Sequence, residues 1–127
     1  MGPMSARLAL GLAAVFLFAA VALGAFGAHA LRTMLAPELM TVFQTAVQYH
    51  FWHALGLLGV GILLAQRPDS GALGVAGWLL VAGMLLFSGS LYALALTGVR
   101  GFGAITPVGG VAFLGGWGCL AWAAWRW

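Results

Sequence analysis

The sequence predicts an all-α integral membrane protein: four spanning helices in a bundle, with an amphipathic helical extension before the second span. Three observations predict it. The 127 residues are 64% hydrophobic and 6% charged, whereas soluble domains carry roughly 25% charged residues. A run without charge extends from Leu8 to Ala28, and at about 1.5 Å per residue it reaches about 31 Å, the thickness of a bilayer core. Twenty glycines, which would weaken helices in water, suit helices that pack closely in lipid.

The first span is expected over residues 7–28. Its length exceeds that of a signal-peptide core, and no clear small-residue cleavage site follows it, so it is read as structure. Ala20, Gly24 and Ala28 form a ladder at spacing four, the pattern of a close backbone crossing. The second span, YHFWHALGLLGVGILLAQ over 49–66, stops at RPDSG, where Pro68 and Gly71 mark a tight turn. Ahead of it, PELMTVFQTAVQ over 37–48 opens with Pro37 and places Glu38 in the first turn, as the helix dipole favours. Glu38, Thr41, Gln44, Thr45 and Gln48 share one side, and Leu39, Phe43, Ala46 and Val47 share the other. The simplest reading joins the two into one helix of 37–66.

The third span covers about 73–96. A glycine-rich loop, GVRGFGA over 98–104, leads to a fourth span over 106–126, with Thr106 as expected N-cap and Pro107 at the first helical position. Trp122, Trp125 and Trp127 beside Arg126 fit an interfacial aromatic belt, and Trp117, farther from the end, is expected to pack. Cys119 stands alone within an apolar run and is read as a packing residue. The net charge of +3 comes from five basic residues scattered singly at span ends, which argues against nucleic acid. Arg7, Arg67 and Arg126 fall on one side of the membrane and Arg32 and Arg100 on the other. The positive-inside rule then favours cytoplasmic termini.

Antiparallel order gathers the chemistry at one end. His29, His50, His53, Ser88, Tyr92 and Thr106 all fall in the half that faces away from the termini. His50 and His53 differ by about 60° around a helix and share its apolar side, so both are expected to point inward. Ser88 and Tyr92, at spacing four, share a face, and Ser90 points nearly opposite. These six residues form the candidate ligand-binding cluster, a polar pocket at the external end to which His29 and the start of the fourth helix contribute.

The stretches GAFGAHAL (24–31), YHFWH (49–53), FSGSLYAL (87–94) and ITPVGG (105–110), with Gly116-Trp117, carry a resemblance. The chain resembles the domain-of-unknown-function 423 family of small YgdD/YwdK-like inner-membrane proteins. The resemblance implies a four-helix protein of a bacterial inner membrane and transfers no catalytic residue.

Three readings of the histidines remain open. They are interfacial residues bonded to helix ends and loop carbonyls; or a metal or haem site, since imidazole ligates zinc, copper and iron; or intramembrane groups serving proton or ion passage, or binding a lipid, quinone or other small amphiphile. The corresponding functions are a non-enzymatic component that binds a small ligand, lipid or protein partner at its histidine-rich external end; a transporter or channel subunit acting as a homo-oligomer; and a metal- or haem-binding membrane protein. No serine or cysteine is paired with a base and an orienting carboxylate, so no enzyme is expected, and no cofactor.

Overall fold

A computed structural model describes residues 2–127. Helix α1 (Ala6–Leu31) starts where the Ser5 hydroxyl accepts the Leu8 amide at 3.0 Å. Its course is α-helical over Ala6–Val21, π-helical over Ala22–Gly27 and α-helical again over Ala28–Leu31. Helix α2 (Pro37–Gln66) is continuous, so the amphipathic segment and the second span are one rod of about 45 Å. Helix α3 (Gly71–Thr97) is capped by the Ser70 hydroxyl on the Leu73 amide and contains a second π-helical turn, Met84–Ser88. It ends at Gly98, whose φ of 72° needs a residue without a Cβ and whose amide closes on the Leu94 carbonyl at 2.7 Å. The expected loop coils as a 3-10 helix over Arg100–Ala104 before α4 (Thr106–Trp125). Thr106 is the first residue of α4 rather than its cap, because Ile105 is already in the helical region and the Thr106 hydroxyl is engaged elsewhere.

All four helices are long and apolar enough to cross a membrane. Packing runs mainly between successive helices: α1 along α2, α2 against α3, α3 against α4. Small residues set each crossing. A Cβ on Gly61 would meet Leu10 and Ala9 of α1, and one on Gly24 would stand 3.0 Å from Val47 of α2. On α3, the Phe113 ring of α4 fills the space left by Gly83, and Gly109 of α4 lies directly on the Phe87 backbone. Within the sequence-predicted ladder, Ala20 is buried and Gly24 and Ala28 are half-buried. The core between the helices holds Phe43, Leu57, Val60, Leu64, Leu73 and Leu80. Val15, Phe18, Val21 and Phe26 of α1 and Val108, Val111 and Leu114 of α4 are exposed. Such apolar outer faces suit lipid, where no water must be excluded from them.

Each π turn inserts one residue into the helix, rotating everything beyond it by about 100° relative to a regular helix. The turn in α3 therefore sets the directions of Ser90 and Tyr92.

Candidate functional site

The buried stripe of α2 runs through Phe43, Ala46, His50, His53, Ala54 and Leu57, at the three- and four-residue steps of one helical face. Both imidazoles are held between helices, 5% and 7% exposed. His50 Nδ1 is 2.8 Å from the Tyr92 hydroxyl of α3, and the Phe16 ring of α1 meets the imidazole edge-on at 5.8 Å. His53 Nδ1 is 2.7 Å from the Tyr49 carbonyl. A carbonyl only accepts, so His53 carries its proton on Nδ1. The ring then stacks on Phe113 of α4 with centroids 3.5 Å apart, and Trp117 borders it at 5.8 Å. Trp117 also covers Gly56 of α2, in keeping with a packing role.

Two further polar contacts join the helices. The Ser88 hydroxyl donates to the Ala46 carbonyl at 2.8 Å, linking α3 to α2. On the other side of α3, the Ser90 hydroxyl donates to the Phe87 carbonyl at 2.9 Å and lies 2.6 Å from the Thr106 hydroxyl of α4. Ser90 has one proton, already given to Phe87, so Thr106 donates to Ser90. Ser88 and Ser90 thus face different neighbours, and Ser90, outside the expected six-residue cluster, is the serine that meets α4. Its direction away from Ser88 and Tyr92 was itself the signal of a third helix at its back.

His50 Nε2 is the exception among these satisfied groups. It is buried without a hydrogen-bond partner; the backbone of Phe16 faces the imidazole from α1 without meeting hydrogen-bond geometry. An unpaired polar atom in such surroundings costs about 1–3 kcal/mol.

The six residues of the expected pocket do not all come together. His50 stands about 24 Å from the Gln66 end of α2 and about 20 Å from the Pro37 end, near the middle of that helix. His29 is exposed on the last turn of α1 and takes part in none of these contacts. The reason is axial: Gly27 of α1 lies against Phe43, about 10 Å along α2 from His50, and His29 is farther still. Antiparallel order gives the end of a helix, not the depth or face of a residue. Among the described residues no three His, Cys, Asp or Glu side chains are grouped to hold a metal ion.

The family model described as "Protein of unknown function (DUF423)" matches residues 23–110. The chain is similar to the UPF0382 membrane protein YwdK of Bacillus subtilis, 49% identical over 106 residues covering 84% of this chain and 86% of that protein. It is similar to the UPF0382 membrane protein SH2409 of Staphylococcus haemolyticus, 44% identical over 111 residues covering 87% and 89%. It is also similar to the UPF0382 inner membrane protein YgdD of Escherichia coli K12, 42% identical over 123 residues covering 92% and 88%. No solved structure shows significant similarity. With its four apolar helices and this likeness along most of its length, the chain belongs to the DUF423, or UPF0382, family of membrane proteins.

Proposed function

We propose that the protein is a non-enzymatic component of a bacterial inner membrane that binds a small neutral amphiphile at His50, between α1 and the central pair α2 and α3. The unpartnered Nε2 of His50 carries the reading. A carbonyl or hydroxyl on the amphiphile would complete the imidazole's hydrogen bonding and recover what burial costs it. The surroundings favour an apolar or aromatic body, because Phe16 and Tyr92 border the imidazole and Phe43 packs on Tyr92. Entry past α1 is supported by the helix's large exposed share. A non-enzymatic role fits the placement of the side-chain carboxylates. Glu38 opens α2 and Asp69 follows its other end, so neither is near the histidine pair to orient it as a base. The inner-membrane location follows the printed name of the E. coli relative, and cytoplasmic termini follow the three-to-two distribution of arginines.

The test is a comparison of solvent extracts from protein purified gently in membrane patches, wild type against His50→Leu. The expected result is a small-molecule species that is present in near-stoichiometric amount with the wild type and lost from the variant in mass spectra. Identical extracts from two folded proteins would overturn the reading.

A further inference from the structure

At the opposite end of the bundle, the α2–α3 turn and the end of α4 enclose a cleft of about 630 Å³ bordered by Gln66, Arg67, Asp69, Ser70, Arg126 and Trp127. Arg67 lies over the Trp127 ring at 4.2 Å and Arg126 over the Trp122 ring at 5.6 Å. A guanidinium stacked on an aromatic face keeps its in-plane N–H groups free, and two such forks suit the oxygens of a phosphate. Below this polar cleft, on the membrane side, lies an apolar slot of about 230 Å³ formed by Leu63 of α2, Leu73 of α3, and Leu120 and Ala124 of α4. Trp127 borders both spaces, so they adjoin.

We infer that this end of the bundle is a binding site for an anionic phospholipid, its phosphate held by Arg67 and Arg126 and one acyl chain laid in the slot beneath. Donors and depth select the occupant. The cleft is lined by two guanidinium groups and the Asp69 carboxylate, and the guanidinium groups offer charged N–H donors to a phosphate at the level where an interfacial tryptophan belt meets lipid headgroups. Basic pockets between helices at this level are where phosphate-bearing headgroups dock. A free phosphate would use the arginines and leave the slot empty. A zwitterionic lipid would fill the slot and bring its own cation beside Arg67 and Arg126. Only an anionic lipid matches both halves. The site is independent of His50, and its test does not involve that residue.

The full chain in maltoside detergent is titrated with dioleoyl-phosphatidylglycerol, with dioleoyl-phosphatidylcholine and with inorganic phosphate, and bound lipid is read by native mass spectrometry. Phosphatidylglycerol should be retained in preference to phosphatidylcholine, and R67Q/R126Q should weaken its retention about tenfold or more. R32Q/R100Q, which removes the same charge from the other end, should leave it unchanged and serves as the folded control. Equal retention of the two lipids, equal losses in the two double variants, or displacement of the lipid by millimolar inorganic phosphate would each overturn the assignment.

Discussion

Replacing Gly109 by alanine probes a helix crossing at which the added Cβ would meet backbone rather than a side chain. The added methyl would stand 2.7 Å from the Phe87 Cα and closer still to its amide nitrogen, where carbon atoms normally rest about 3.5–4.0 Å apart. The obstacle is backbone, so no side-chain rotation relieves it; α3 and α4 must part locally by about 1 Å. Overpacking of this kind costs about 1–3 kcal/mol. Parting the helices also stretches the 2.6 Å contact between Ser90 and Thr106, which adds about 1 kcal/mol. The better helix propensity of alanine offsets at most about 1 kcal/mol. Gly109→Ala should therefore lose about 1–3 kcal/mol net. Gly118→Ala, in the same helix with nothing within 4 Å of the added carbon, should be neutral or slightly stabilising. Unfolding in mixed micelles with rising dodecyl sulfate fraction, followed by tryptophan fluorescence, measures both. Equal stability of the two variants would refute the reasoning that the α3–α4 distance is set by this glycine.

Tyr92→Phe removes the partner of His50 Nδ1 and leaves both nitrogens of a buried imidazole unpaired, so it should cost about 1–3 kcal/mol in the same assay. Adding His50→Leu should recover much of that loss, because no polar atom of the pair is then left orphaned; a double variant as unstable as the sum of the singles would contradict the pairing. For topology, Arg100→Cys should be labelled by an impermeant maleimide from outside intact cells and Ser70→Cys protected, both in a Cys119→Ala background; the reverse pattern would invert the orientation.

Hydropathy made the spans legible because lipid requires it: a chain crossing 30 Å of hydrocarbon must be apolar throughout and must bond its own backbone. The first span, expected over 7–28, runs over Ala6–Leu31, about a turn longer, since the apolar turn around His29 needs no charge to stay helical. The join of 37–48 to 49–66 was legible for the opposite reason, because no glycine or proline interrupts α2 between Pro37 and Leu55. The inward direction of His50 and His53 was carried by the helical wheel. The partnership of Ser90 with Thr106 was not, since a wheel gives directions within one helix and nothing about which neighbour stands there. The π turns were equally hidden, because a single inserted residue leaves hydropathy unchanged. His29 shows the remaining gap: its chain position gives the end of α1 on which it lies, whereas its exposure and its axial offset from His50 and His53 depend on how α1 packs along α2.

The packing of each helix mainly on its successor also bears on how the protein assembles. Partners close in sequence are joined by short loops, so little chain entropy is lost when they meet. α1 can dock on α2 as soon as α2 has emerged from the translocation machinery, and α3 on α4 likewise, giving two hairpins that form separately. Ser88 on the Ala46 carbonyl and Tyr92 on His50 then join one hairpin to the other. Because these bonds need both partners at the right height, they fix the register between two units whose apolar surfaces alone would specify it weakly.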